Sequence, residues 1–181
     1  MKRHILKTVL ALLCVTLLVF AVSCKEKLDV GKMLGYQSGT PEYDLILRVG
    51  DAVYPMHITL KGEGEQSVRD GSAAITGGVL DGVGFEMTGG KLKMTVGELE
   101  YMLEKKDSSP LYFLFEAFAL KEDGFIGATE ETGSGVLVAH FDGGEELTLT
   151  LSADTYEPIM IESLCETGVC SVDFGSNVKE N

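Results

Sequence analysis

The sequence predicts a mainly β protein of the α+β class, in which a curved antiparallel meander sheet (a half-barrel) wraps around one or two apolar helices. Apolar and polar residues alternate with a period of two from Glu42 onward. Glycine-containing turns separate these runs at intervals of about 8–12 residues, as in a meander. Residues 108–124 break the alternation and read as a helix.

The alternating runs assign one face of each strand to the protein interior. "EYDLILRV" and "AVYPMHITLK" place their large apolar residues on one side, as do "VGFEM", "KLKMTV" and "ELEYMLE". Further runs are "GVLVAHF", "ELTLTLS", "DTYEPIMIES" and "VCSVDFG", and "DGGEE" at 142–146 is a turn. The inward residues expected for the first five runs are Tyr43, Leu45, Leu47, Val49, Tyr54, Met56, Ile58, Leu60, Val83, Phe85, Met87, Leu92, Met94, Val96, Leu99, Tyr101 and Leu103.

The segment 108–124 has the start and stop signals of a helix. Ser109 suits the N-cap, Pro110 the first helical position and Gly124 the end. An apolar stripe, widened by Tyr112 and Phe113, covers most of its surface, so the helix must be enclosed. We expect a curved sheet to enclose it, with a core helix on a flat sheet as the alternative. The stripe contains Leu111, Leu114, Phe115 and Phe118.

The first 24 residues have the pattern of an export signal. A basic start is followed by an uncharged apolar run at 8–22, shorter than the roughly 20 residues of a membrane-spanning helix. The residues before Cys24 resemble a bacterial lipobox. This predicts a cleaved signal peptide at 1–23, a tether at 24–40 anchored to the membrane by acyl chains such as palmitate on Cys24, and a domain at 41–178. The alternative is an ordinary signal peptide or a short uncleaved anchor.

The charge of the chain narrows the choice of partners. The formal net charge is −13. Removing residues 1–23 takes away three cations and no acids, which leaves about −16. Nucleic acid and anionic lipid heads both require basic surfaces, so neither is an expected partner, and membrane attachment must be covalent.

Two cysteines remain beyond Cys24 in the expected mature chain. Cys165 and Cys170 are closely spaced in an exported protein, which favours a disulfide across the base of a hairpin. Two thiols are the alternative.

Motifs of catalysis are not evident in the sequence. His57 falls on the polar phase of its run and His140 lies in an apolar one, and neither accompanies a nucleophile motif. We therefore expect no enzyme activity, cofactor or metal.

The order of parts resembles the lipoprotein-carrier superfamily, which includes the LolA/LolB carriers and the LppX/LprG-type lipoproteins. The resemblance covers residues 40–178 and rests on the meander, the apolar helix, the late "LTLSADTYEPIMIE" strand pair and the closing "VCSVDFGSN" strand. It implies a half-barrel around helices with an apolar cavity for acyl chains.

These features together predict an exported, non-enzymatic, membrane-anchored lipoprotein of the bacterial cell envelope that binds a lipid or another apolar ligand in the concavity of its sheet. The alternative is an envelope interaction or scaffold lipoprotein with a filled core, whose protein partner the sequence does not name. The expected ligand-lining residues are Tyr43, Leu45, Leu47, Tyr54, Met56, Ile58, Phe85, Met87, Met94, Leu111, Phe115 and Phe118.

Overall fold

A computed structural model describes residues 28–62, 68–104, 109–142, 146–166 and 168–175. The expected signal peptide and Cys24 lie outside these residues. The strands are β1 (Glu42–Val49), β2 (Ala52–Leu60), β3 (Gly71–Ile75), β4 (Gly84–Thr88), β5 (Lys91–Val96), β6 (Leu99–Leu103), β7 (Phe125–Glu131), β8 (Val136–Asp142), β9 (Glu146–Ser152), β10 (Pro158–Cys165) and β11 (Gly168–Asp173). The α-helices are α1 (Val30–Met33) and α2 (Pro110–Glu116), and single 3-10 turns occupy Gly35–Gln37, Gly78–Leu80 and Glu122–Gly124.

Within the described residues, all the strands form one curved antiparallel sheet of eleven strands that does not close. Their spatial order is β6-β5-β4-β3-β2-β1-β11-β10-β9-β8-β7. Two meanders, β1–β6 and β7–β11, join where β11 pairs with β1, for example at Leu47 and Val172. The predicted fold class, a curved antiparallel sheet with few helices, is confirmed.

The position of α2 follows from this topology. The chain leaves the sheet at its β6 edge and re-enters at its β7 edge, so the intervening residues must cross from one edge to the other. We call the described residues 109–124 of this connection the crossing. It buries Tyr112, Phe113, Leu114, Phe115 and Phe118. A helix this apolar is stable only where neighbours cover it, and the concave side of the sheet supplies them.

The strand registers confirm the inward faces expected from the alternation. Leu45 lies opposite Met56, and Ala73 opposite Phe85. The same face continues through the C-terminal meander in Leu149, which lies opposite Ile161. These side chains are buried in one apolar core on the concave side.

The helix is shorter than the sequence predicts. It ends at Glu116, and Gly124 lies in a later 3-10 turn. Ser109 occupies the N-cap position without a side-chain hydrogen bond, whereas Pro110 starts the helix as expected. The amide of Ala119 bonds the carbonyl of Glu116 and the segment then extends toward β7. The helix stops early because the chain must still reach the far edge of the sheet.

Residues 30–37 are also different from the expected tether. Met33, Leu34 and Tyr36 are buried in the core, and Gln37 is buried beside them. The structured domain therefore includes residues 30–37, ahead of the expected boundary at residue 41. The sequence did not predict this burial, because polar residues and glycines surround these few apolar side chains and hide any regular apolar pattern.

Glycine at position 71 allows β2 and β3 to approach closely. A Cβ on Gly71 would lie 2.6 Å from the carbonyl oxygen of Thr59, whereas one on Gly84 would have its nearest neighbour at 3.9 Å. We expect Gly71→Ala to lower the free energy of unfolding by about 1–3 kcal/mol because the strands must separate. Gly84→Ala is the matched control and should change stability by less than about 1 kcal/mol. Chemical denaturation of both variants measures this, and equal effects would contradict the close approach.

Candidate functional site

The expected ligand-lining residues all belong to the core or pack against it. Tyr43, Tyr54, Met94 and Leu111 are only partly buried. The eight that are buried are Leu45, Leu47, Met56, Ile58, Phe85, Met87, Phe115 and Phe118. Since α2 and residues 30–37 cover much of the concave face, most of these side chains contact protein.

An aromatic cluster closes the centre of the concave face. The ring of Phe118 stacks on that of Tyr43 with centroids 5.6 Å apart. Phe174 meets Tyr43 edge-on at 5.3 Å, and Tyr36 meets both phenylalanines at 5.9 and 5.8 Å. Each such pair contributes about 0.5–1.5 kcal/mol beyond simple burial. The cluster joins the N-terminal segment, β1, the crossing and the end of β11.

Hydrogen bonds fasten the N-terminal segment to the crossing. The hydroxyl of Tyr36 donates to the carbonyl of Ala117 at 2.7 Å, and that of Tyr43 donates to the carbonyl of Tyr36 at 2.6 Å. The amide side chain of Gln37 donates to the carbonyl of Leu120 at 3.1 Å and accepts from its N–H at 3.0 Å. The bonds made by Tyr36 and Gln37 pair backbone groups of the crossing after the helix has ended.

Arg69 secures the same region from the loop before β3. Its side chain is 2% exposed and donates to the carbonyls of Gln37, Gly39 and Gly62. Its backbone N–H donates to the carbonyl of Phe115 at 3.2 Å. A guanidinium can serve several acceptors at once, so this residue connects the helix, the N-terminal segment and the β2–β3 loop.

The phenols of the cluster have raised pKa values. Burial raises the pKa of Tyr36 well above its ordinary value of 10.0, and Tyr43 adds to the rise while Arg69 opposes it. Burial also raises the pKa of Tyr43, against the influence of Arg69. Both hydroxyls therefore stay protonated and able to donate at neutral pH.

The concave face is less covered near the β6 edge. Val96 lies opposite Leu99 and Met94 opposite Tyr101, all on the inward phase that contains Leu92. Val96, Leu99 and Tyr101 are nevertheless 41%, 60% and 46% exposed. We call Met94, Val96, Leu99 and Tyr101 the uncovered inward row. The sequence placed all four on the inward phase, but only Met94 was among the expected lining residues.

The outward face beside this row contains a charge ladder. Nζ of Lys93 lies 3.1 Å from carboxylate oxygens of both Glu86 and Glu100, and Lys61 lies 3.6 Å from Glu86. Hydrogen bonding to Lys93 lowers the pKa of Glu86. Hydrogen bonds from Glu100 and Glu86 raise that of Lys93. The strand β6 thus presents apolar side chains inward and a charged surface outward.

The cysteines flank the turn of the β10–β11 hairpin, as expected. Cys165 lies opposite Gly168 and Cys170 opposite Ser163, so the two are diagonal neighbours. Directly opposed residues approach more closely than diagonal ones, and a disulfide needs a short Cβ separation. Both side chains are buried, and a disulfide between them remains a prediction.

The two described histidines pair with acids. Nδ1 of His57 lies 2.8 Å from Asp44, and Nδ1 of His140 lies 3.0 Å from Glu146. In the part of the chain that the structure describes, histidine, cysteine and acidic side chains do not form a group of three or more that could hold a metal ion. None of the described helices is both long and apolar enough to cross a membrane.

Comparisons with known proteins give distant structural likenesses and no family. No protein-family model matches the chain, and no curated protein matches it. A LolA superfamily protein from Nitrosomonas europaea is 12% identical with a TM-score of 0.44, over 77% of this chain and 72% of that one. A chain in the complex of the CwlD amidase from Clostridioides difficile with the GerS lipoprotein is 18% identical with a TM-score of 0.39, over 76% and 84% respectively.

These likenesses are too distant to carry an argument about ligand or partner. The open antiparallel sheet around an apolar helix that the sequence predicts is present. Membrane attachment and ligand remain predictions.

The buried phenol of Tyr36 makes stability sensitive to alkaline pH. Above pH 10 the unfolded phenol ionises while the folded one keeps its proton, so the free energy of unfolding falls as pH rises and is unaffected below that range. We expect Tyr36→Phe to lower the free energy of unfolding by about 0.5–1.5 kcal/mol at pH 7, because the hydrogen bond to Ala117 is lost. The free energy of unfolding of this variant should also decline less steeply at alkaline pH.

Denaturant titrations between neutral pH and pH 11 measure both quantities. Tyr101→Phe, at an exposed position, is the control and should match the parent protein. An alkaline decline of the same slope in Tyr36→Phe and the parent would contradict the assigned role.

Proposed function

We propose that this protein is an exported lipoprotein, anchored through Cys24, that holds an acyl chain or similar apolar ligand on the concave face of its sheet. The ligand lies along the uncovered inward row at the β5–β6 end. The observation that supports this most directly is the exposure of Val96, Leu99 and Tyr101 on the apolar, inward phase.

The crossing divides the concave face into two parts. Over β1 and β11 the aromatic cluster and α2 already contact the inward side chains, which leaves a ligand little apolar surface there. At β5 and β6 the inward side chains continue beyond this cover. An acyl chain placed along them extends the existing core.

The energetics of such binding are those of ordinary hydrophobic burial. Removing apolar surface from water contributes about 25 cal/mol per Å², or about 0.8 kcal/mol for each methylene. A flexible chain loses conformational freedom on binding, so several methylenes must be buried for a useful affinity. Met94 suits this role because its thioether side chain adapts to varied ligand shapes.

The proposed anchor places the domain close to a membrane. Five residues lie between Cys24 and Val30, where the described helix α1 begins. An extended chain of that length reaches at most about 20 Å. A domain on so short a connection remains near the lipid surface from which an acyl ligand could come.

The second candidate is an envelope scaffold lipoprotein without a ligand. The observation that favours it is the complete burial of Phe115 and Phe118, because these side chains occupy the space that a central ligand would need. In that case the uncovered inward row is covered by another protein.

Two exposed residues of β6 separate these candidates. Leu99 is 60% exposed on the inward phase and Met102 is 63% exposed on the outward phase. We expect Leu99→Glu to weaken binding of palmitate at least tenfold, because the ligand would have to desolvate a carboxylate. Met102→Glu is the matched control and should stay within about twofold of the parent.

Palmitate binding is measured by native mass spectrometry and by displacement of a fluorescent fatty acid. Failure of the parent protein to bind palmitate would favour the scaffold candidate. If both variants lost palmitate binding equally, the ligand would not lie along the uncovered inward row.

The anchor is tested separately. We expect intact mass spectrometry of the protein from bacterial membranes to show a chain that begins at Cys24 with a diacylglyceryl group. Cys24→Ser should leave the protein without this group and release the signal-cleaved fraction from washed membranes. A mature chain that begins at another residue would contradict the proposal.

A further inference from the structure

The two edge strands of the sheet differ in how they are protected. The strand β7 has an irregular register between Phe125 and Gly127 and ends in Glu130 and Glu131. Bulges and charges of this kind discourage pairing with other chains. The strand β6, Leu99–Leu103, has a continuous register with β5, and Leu99 and Met102 are exposed on opposite faces.

The turn before β6 determines which backbone groups point away from the sheet. Gly97 has φ +60°, and with Glu98 it forms a two-residue turn between paired Val96 and Leu99. In such a hairpin the pair that flanks the turn is hydrogen bonded, and the bonded pairs then alternate. The N–H and C=O groups of Glu100 and Met102 therefore point to the open side of β6.

The side chains along this edge have a two-sided pattern. Leu99, Tyr101 and Leu103 continue the apolar inward face. On the outward phase lie Glu100 and Met102. Two further exposed acids, Glu98 and Glu104, flank the strand on the same phase as Glu100. An added strand would meet apolar residues on one face and mainly carboxylates on the other.

A second copy of the chain fits this edge poorly. Antiparallel self-pairing centred on Tyr101 sets Glu98 of each copy opposite Glu104 of the other. In the register centred on Glu100, the Glu100 residues of the two copies lie opposite each other. In the register centred on Met102, Glu100 of each copy lies opposite Glu104 of the other. Like charges directly opposite each other destabilise a strand pair, and the net charge of −13 adds to the repulsion.

We propose that β6 is a docking edge for an extended segment of another polypeptide in which apolar residues alternate with lysine or arginine. The segment adds a strand to the sheet through the outward backbone groups of Glu100 and Met102. Its apolar side chains continue the inward row, and its cations face the flanking acids Glu98 and Glu104 as well as Glu100, which also pairs with Lys93. Backbone pairing supplies affinity, and the alternation supplies specificity.

The test uses the full-length protein and a capped peptide of about seven residues, the length of a short strand, in which valine and lysine alternate. Hydrogen–deuterium exchange at single-residue resolution should show slower exchange at Glu100 and Met102, with β7 unchanged. A peptide of the same composition with valines and lysines in separate blocks should bind at least tenfold more weakly. An alternating valine–glutamate peptide should not bind.

Three variants separate the edge from general charge attraction. Glu100→Lys should weaken binding of the alternating peptide at least tenfold. Glu130→Lys on β7 is the matched charge control and should leave this binding unchanged. Met102→Pro removes an outward N–H without removing a bond to β5, and it should abolish the protection. Circular dichroism establishes that each variant is folded.

Several results would overturn the proposal. They are equal binding of the block peptide, protection at β7 in place of β6, full binding by Met102→Pro, or stable self-association through β6 without peptide. The palmitate test depends on Leu99, which faces inward, whereas the peptide test depends on Glu100, which faces outward. The two proposals can therefore fail independently.

Discussion

The chain must cross from one edge of an open sheet to the other, and the rest of the structure depends on this constraint. The two meanders meet at β1 and β11, so their outer strands β6 and β7 are far apart in the sheet although they are consecutive in sequence. The connecting residues can bury their aromatic side chains only on the concave side. The helix, its early end at Glu116 and the cluster around Phe118 all follow from the path of this crossing.

A crossing of this length does not cover the whole concave face. Its backbone groups beyond the helix need partners, and Tyr36 and Gln37 supply them from a segment that would otherwise be only a tether. Arg69 ties the same segment to the β2–β3 loop. The centre of the sheet is therefore filled by the protein itself, while the inward side chains of Leu99 and Tyr101 extend beyond the cover. The proposed ligand and the proposed added strand both follow from this incomplete cover.

The sequence predicted the parts of the fold that depend on strong alternation and missed those that do not. Strands such as β1 and β2 have large apolar residues at every second position. By contrast, Gly71–Ile75 has small residues at all positions but its last, and Phe125–Glu131 has large apolar residues only at its first two positions. The end of the helix was misplaced because the distance that the chain must cross is a tertiary property. The phase of Leu99 and Tyr101 was predictable from alternation. Their exposure was not, because it depends on how far the crossing reaches.

The protein fills the middle of its concave face with its own side chains and leaves the β6 end uncovered. Hydroxyl-radical footprinting read by mass spectrometry tests this arrangement most directly, since oxidation follows side-chain exposure. Tyr101 and Met102 should be oxidised rapidly, and Phe115, Phe118 and Met56 very slowly. Rapid oxidation of Phe115 and Phe118, at rates similar to that of Tyr101, would mean that the crossing does not shelter them and that the middle of the concave face is open.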